Sequence, residues 1–312
     1  MDSESSQNEG TIYMESGSKL SFSFGDNPED YDGDYIIITP FSKWAIYGEE
    51  STTLILKNKA DFMLNSDRGG GFYVSELIIE DSYISDNIEP ATYPSLQARN
   101  SITITKRSSL ELHSVKAGKN IIIGEKNDGN SGIYSTFGSY FISKEIEAEG
   151  TIEINSGIIN IIAESSTTKV KPMKFKESLK INGGIIIAAG TDCMGNNIEN
   201  SQKYFEYYGN FKKIEIKIPF SDTMTIEDYN ISYIYVSVPE QEDSELKMKV
   251  DGNYILNSQT CYSQDSNDDS TLTTSNPQEN KDKDESTKSI SSNDSRKILN
   301  YIYLYIILFL LF

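Results

Sequence analysis

The sequence predicts an all-β chain built as a parallel β-solenoid, closed by a short β cap and followed by a disordered linker and a hydrophobic tail. Three observations predict it. Short ladders of alternating apolar and polar residues recur from Thr11 to Gly190. The composition, with 20 Tyr and many Ile, Asn and Ser, favours strands and turns over a helical bundle. The character of the chain then changes sharply after Leu256 and again at Ile298.

The ladders share a template: an apolar residue at i and i+2, a polar or glycine break, then a second such pair. "TIYMESGSKLSFSF" carries Ile12, Met14, Leu20 and Phe22, and "YIIITPFSKWAIY" carries Ile36, Ile38, Trp44 and Ile46. "TLILKNKADFML" repeats it with Leu54, Leu56, Phe62 and Leu64, and "SITITKRSSLELH" with Ile102, Ile104, Leu110 and Leu112. A shorter break serves Leu77, Ile79 and Ile84; Ile152, Ile154, Ile159 and Ile161; and Leu179, Ile181, Ile186 and Ala188. Ile121 and Ile123 form a partial copy. Successive ladders begin roughly 18 to 31 residues apart, a period that signals stacked repeats. Alternation sends one set of side chains inward, and stacking at about 4.8 Å lets each rest on the one below. A β-sandwich also yields short alternating strands, but its hairpins call for Asn-Gly or Asp-Gly joints that are rare here.

After Gly190 the pattern stops. "TDCMGNNIENSQKYFEYYGNF" reads as an irregular exit, and "KIEIKIPF" and "ISYIYVSV" as two or three strands that cover the open end. The solenoid with its cap is assigned to residues 1–256. Residues 257–297, rich in Ser, Asp and Asn, hold too little apolar surface to order themselves and form a linker. Residues 298–312 are apolar apart from Asn300. They are short for a spanning helix, and small residues followed by a terminal apolar stretch match a glycolipid-anchor signal; a retained tail anchor is the other reading. Either puts the protein at the cell surface, or secreted and membrane-anchored through its C-terminus. The start, "MDSESSQNEGTIYM", has no charged n-region or apolar h-region, so the sequence is expected to lack its true beginning. Asn230 and Asn293 match the glycosylation triplet.

A formal net charge of −19 excludes a phosphate-backbone partner, so no nucleic acid is expected. Cys193 and Cys261 are too far apart in sequence to be read as a framework. His113 reads as an ordinary histidine and Glu111 and Glu153 as solvated charges, since no acidic set repeats on consecutive coils as a catalytic cleft requires. In "GDNPEDYDGDY", Asp30, Asp32 and Asp34 alternate beside glycine and are the candidate calcium ligands; a solvated acidic turn is the plainer reading. Amphipathic rings suit binding surfaces, and several lie in turn or insertion segments, Tyr93 and Phe137 among them; Tyr31, Tyr35, Tyr73, Tyr134 and Tyr140 are the candidate ligand-binding residues.

"SLQARNSITI", "SVKAGKNIIIGEKN", "TIEINSGIINIIA" and "SLKINGGIIIAAGTDCM" resemble the carbohydrate-binding right-handed β-helix domains of cellulolytic clostridia. The likeness covers Ser95 to Met194 and extends to Thr11 to Asp86 as pattern alone. It implies a pectate-lyase-like fold, surface display, binding of plant cell-wall polysaccharide without catalysis, and calcium between coils. This chain departs from the family in reading "TKRSS" where Gly-Gly is usual, and in lacking its regular acidic turns. A polysaccharide lyase or glycoside hydrolase on the same fold, or a surface adhesin, are the alternatives.

Overall fold

The structure is a computed structural model that describes residues 9–23, 36–38, 43–64, 69–86, 93–126, 140–165, 167–217, 223–227, 230–239 and 246–255. Among these the protein is all-β, and no helix occurs. Most strands lie in one sheet system dominated by parallel pairing. It resolves into three ladders that the chain visits in a fixed order before returning to the first, one strand further along.

The first ladder takes Gly10–Met14, Trp44–Gly48, the starts of Gly70–Glu80 and Leu96–Thr105, the ends of Ser109–Ala117 and Tyr140–Ala148, and Met173–Phe175. The second takes Lys19–Ser23, Thr53–Lys57, the ends of Gly70–Glu80 and Leu96–Thr105, then Ile121–Ile123, Ile152–Ile154, Leu179–Ile181 and Ile198–Asn200. The third takes Ile36–Ile38, Asp61–Leu64, Tyr83–Asp86, the starts of Ser109–Ala117 and Tyr140–Ala148, then Ile158–Ile162 and Ile185–Gly190.

In-register pairing turns the sequence ladders into columns. Leu20, Leu54, Leu77, Ile102, Ile121, Ile152, Leu179 and Ile198 form one unbroken column of the second ladder. The inward residues of all three ladders meet in one core. Burying each Leu or Ile is worth about 1.5–3 kcal/mol, so the columns carry the stability of the stack. The first circuit differs: Ile12, Leu20, Phe22 and Ile36 are only partly buried, because no described strand lies above them.

Small polar residues are buried at the corners, where the turning backbone needs partners. Thr52 Oγ1 donates to Glu49 O at 2.7 Å and accepts from the Ser75 amide at 3.2 Å. Ser143 Oγ donates to Glu145 O at 2.8 Å, and Asn182 Nδ2 donates to Asn155 Oδ1 at 2.9 Å one circuit below. Glycine serves close approach: a Cβ on Gly183 would stand 2.2 Å from Asn155 O, and Gly184 beside it has φ +89°.

The C-terminal cap is larger than the two or three strands read from the sequence. Tyr233–Val238 pairs antiparallel with Ile185–Gly190 on one side and with Lys203–Tyr208 on the other. A separate antiparallel sheet joins Lys213–Lys217, Thr223–Glu227, Lys247–Val250 and Asn253–Ile255. The cap has its own core of Ile214, Ile216, Ile226, Ile234, Val236, Val238 and Met248, which also takes Ile187 and Ala189 from the last circuit. Tyr233 and Tyr235, facing the other way, close the end of the main core. The Tyr233 hydroxyl donates to the Glu206 carboxylate at 3.1 Å, and burial together with that carboxylate holds the phenol well above its usual range.

The cysteines require a correction. Cys193 is buried and disulfide-bonded, so distance along the sequence was no guide to distance in space. Cys261 lies outside the described residues, as do the linker and the hydrophobic tail. Contacts divide the chain into Met1–Ser266 and Asn267–Phe312, and every described residue belongs to the first unit. Among the described residues no helix is long and apolar enough to cross a membrane.

The stack predicts a strong inward–outward asymmetry. In urea denaturation, Ile154→Ala is expected to cost about 2–5 kcal/mol and Gly183→Ala about 1–3 kcal/mol. Glu153→Gln, at the outward position between Ile152 and Ile154, should change stability by less than about 0.5 kcal/mol. Equal losses for Ile154→Ala and Glu153→Gln would contradict the registered columns.

Candidate functional site

The register that stacks the core also stacks what faces outward. On the first ladder the residue between two inward positions is Tyr13, then Tyr47, then Tyr73 on successive strands. Beyond Tyr73 the same column continues as Gln97, Lys116, Glu147 and Lys174. One face therefore carries a tyrosine half and a charged half. In the charged half Lys116 pairs with Glu147 at 3.0 Å and Lys174 with Glu145 at 2.9 Å.

The aromatic half is tightly built. Tyr13 and Tyr47 stack at 6.2 Å with planes 15° apart, and Tyr47 meets Tyr73 edge-on at 5.6 Å. Trp44 lies beneath as a buried pedestal, 5.1 Å from Tyr73 and 5.4 Å from Tyr93. Its register partner is Gly70, where a Cβ would fall 2.2 Å from the indole, so the ring occupies the space a side chain would need. The Arg99 guanidinium sits 4.1 Å from the Tyr73 centroid and 5.4 Å from that of Tyr47. It donates to Gly48 O at 2.6 Å and Glu49 O at 3.2 Å, reaching back across the intervening strand. The Tyr13 hydroxyl donates to the Glu49 carboxylate. Lys43 lies 5.3 Å from the Tyr93 centroid and pairs with Glu9 at 3.2 Å, which raises its pKa.

The three column tyrosines and Tyr93 are half-buried. Such a surface offers aromatic faces, phenol hydroxyls and a fixed cation at the strand spacing of about 4.8 Å. It offers stacking and hydrogen bonding.

Of the rings singled out in the sequence, Tyr73 and Tyr93 belong to this cluster. Tyr31, Tyr35 and Tyr134, and with them Asp30, Asp32 and Asp34, lie outside the described residues. Tyr140 begins a strand whose start belongs to the third ladder, in register with Ser109 and Ile158, away from the Tyr73 column. Tyr13, Tyr47 and Arg99 were missed. Their signal was present as "IYM", "IYG" and "FYV", a tyrosine at the same offset between two inward positions in three successive circuits. Among the described residues no group of three or more His, Cys, Asp or Glu is placed to hold a metal ion.

Glu153 is an outward charge paired with Lys126 at 3.0 Å, as expected of a solvated residue. Glu111 is half-buried, and burial, with Asp86 adding to it, raises its pKa. Asn155 is buried in a corner. His113 is half-buried with Nδ1 unpaired; burial and then Lys144 lower its pKa, against the opposing pull of Asp86 and Glu145. Its backbone amide donates to Asp86 Oδ2 and to Ser95 Oγ, both at 2.9 Å, which fixes the corner.

No protein-family model matches the chain, and no curated protein or solved structure is similar to it beyond chance.

The two shifted groups predict opposite pH trends. His113 has a folded pKa below the usual 6.5, so its contribution is complete above that value and is lost as pH falls through 6.5 toward the folded pKa. Glu111 has a folded pKa above the usual 4.5, so its contribution is complete below that value and is lost as pH rises toward the folded pKa. Between pH 7 and pH 5.5 the urea midpoint of His113→Gln should fall less than that of the parent. Glu111→Gln should be more stable than the parent at pH 7 and lose that advantage at pH 4; the reverse order would contradict the burial of this carboxyl.

Proposed function

We propose that the protein is a non-catalytic polysaccharide-binding protein of the cell surface, with the outward face of the first ladder as its binding wall. The observation that carries the reading is the registered column Tyr13, Tyr47 and Tyr73, braced by Trp44 and Arg99. A polymer of sugar rings presents repeating apolar faces and hydroxyls, and a rigid column of tyrosines answers both at a regular spacing. Each contact is weak, and affinity comes from engaging several along one polymer. Plant cell-wall glycans are the class suggested by the family resemblance.

The fold reading that goes with it is a closed, right-handed parallel β-helix. The fixed order of the three ladders and their single common core support it. A bonded Cys193 suits an oxidising compartment, and so supports display outside the cytosol. In this reading the polar linker holds the folded unit away from the membrane, and the C-terminal tail, or the glycolipid that replaces it, supplies the anchor. Asp30, Asp32 and Asp34 are where calcium would bind.

The test is retention on insoluble cellulose and on pectic acid, with and without a calcium chelator. The parent should be retained on at least one glycan. Tyr47→Ala and Tyr73→Ala should each weaken retention by about threefold to tenfold while leaving the fold intact. No retention on any glycan sinks the binding reading, and release of unsaturated oligosaccharides would favour a lyase instead. For the anchor, phospholipase treatment should free the protein from cells; a protein still membrane-bound and still ending in Phe312 refutes the glycolipid.

A further inference from the structure

The corner that joins the second ladder to the third stacks asparagine on asparagine between circuits. Ile154 and Ile181 are register partners, so Asn155 and Asn182, which follow them, meet across the corner. Asn155 is buried and is followed by Ser156, whereas Asn182 is exposed and is followed by Gly183. The Asn182 amide donates to Ile154 O and the Ile185 amide to Gly157 O, both at 2.8 Å, which pins the corner on its two sides. Between those bonds the Gly183 N–H donates to no acceptor among the described residues. The Asn182 carboxamide donates through Nδ2 to Asn155 Oδ1 at 2.9 Å and to Glu153 Oε1 at 3.3 Å.

Asn182–Gly183 is the one Asn-Gly pair in the chain. Asparagine is thermolabile because the main-chain nitrogen of the next residue can attack its side-chain carbonyl carbon, and glycine, with no Cβ, leaves that approach open. The nitrogen must give up its proton to attack, which a hydrogen-bonded amide resists. Three conditions therefore coincide at Asn182: the residue is exposed, a glycine follows it, and the amide of that glycine is unbonded. Asn155, at the same corner one circuit below, is buried and followed by serine, so it meets neither of the first two.

We propose that Asn182 is a site of spontaneous modification, converting to aspartate and isoaspartate, and that the conversion loosens this corner. The Gly183 nitrogen loses its proton to solvent and bonds to Asn182 Cγ; the Cγ–Nδ2 bond breaks and the nitrogen leaves as ammonia, taking up a proton, which closes a cyclic imide. Water then opens the imide. Cleavage at Cγ gives aspartate, and cleavage at the main-chain carbonyl gives isoaspartate, whose backbone runs through Cβ and Cγ. Either product conflicts with the corner. A carboxylate has no N–H to give, so it faces Asn155 Oδ1 and the Glu153 carboxylate that Nδ2 bridges in the parent. Isoaspartate lengthens the main chain beside Gly183, where even a Cβ would stand 2.2 Å from Asn155 O. The strand that leaves the corner, Ile185–Gly190, is the one on which Tyr233–Val238 pairs, so the loosening reaches the seam between stack and cap. This holds whatever the tyrosine wall binds.

The full chain, aged in neutral buffer with and without urea, is digested and sequenced by electron-transfer mass spectrometry, which separates aspartate from isoaspartate. In the folded protein Asn182 should convert on the timescale of the denatured chain and several-fold faster than Asn155. An Asn182 that keeps its carboxamide over that time, or converts no faster than Asn155, would overturn the site. Hydrogen exchange reads the corner. In the converted fraction, separated from the parent by charge, and in Asn182→Asp, the amides of Ile185–Gly190 should exchange about threefold to tenfold faster, as the loss of a hydrogen bond or two implies. Those of Thr53–Lys57, several circuits away, should keep their rates. Equal exchange of Ile185–Gly190 in converted and parent protein would overturn the loosening even where the modification occurs.

Discussion

Each circuit of this chain presents inward side chains that have no partner within the same circuit, so no circuit can bury its apolar residues until another lies against it. Parallel, in-register pairing is what satisfies that requirement, because it sets like residue on like residue at one strand spacing. The rest follows. Corners need buried hydroxyls and amides, since the backbone turns there and its polar groups are shut off from water. Gly183 is needed where one circuit's backbone approaches the carbonyl of the last, and a final layer is needed wherever the stack ends. At the C-terminal end Tyr233 and Tyr235 provide that layer, backed by a second core that shares Ile187 and Ala189 with the last circuit.

The same constraint builds the surface. A residue one step from an inward position faces outward, and register places it directly against its counterparts in neighbouring circuits. Three tyrosines at one offset thus become a continuous wall, with no dedicated loop to position them. Arg99 locks the wall by spanning from the fourth strand of the ladder back to the carbonyls that end the second. Further along the column the residues alternate in sign and neutralise one another. The face is thereby divided into a half with open aromatic rings and a half of ion pairs.

Much of the fold was legible because β-branched and leucine side chains at period two report burial directly. The first ladder was harder to read beyond its second strand. Its inward positions are Phe72, Leu96, Val115, Ile146 and Met173, and beside them the small Ala98, Ala117 and Ala148, which do not spell an isoleucine ladder. The template therefore paired strands two at a time where the chain uses three. The cap was read as a few covering strands, because antiparallel pairing between Lys203–Tyr208 and Tyr233–Val238 leaves no local signature. The site was legible only in part. Tyr73 was picked out for its residue type, while Tyr13 and Tyr47 became meaningful only once register showed that three separate phrases share one column. Burial of Glu111 and bonding of Cys193 depend on what packs across from them, and spacing along the chain does not carry that.

The central claim is that neighbouring circuits pair in register on the first ladder and so align the tyrosines. Tyr47 and Tyr73 are direct partners there, so their Cα atoms stand at about the strand spacing, within the range a disulfide can bridge. The rate of disulfide formation in the Tyr47→Cys/Tyr73→Cys variant under mild oxidation measures this. The account predicts rapid, intramolecular closure with the bond at Cys193 undisturbed. A folded variant in which these two thiols stay reduced, or close no faster than in Tyr47→Cys/Lys116→Cys, would contradict it.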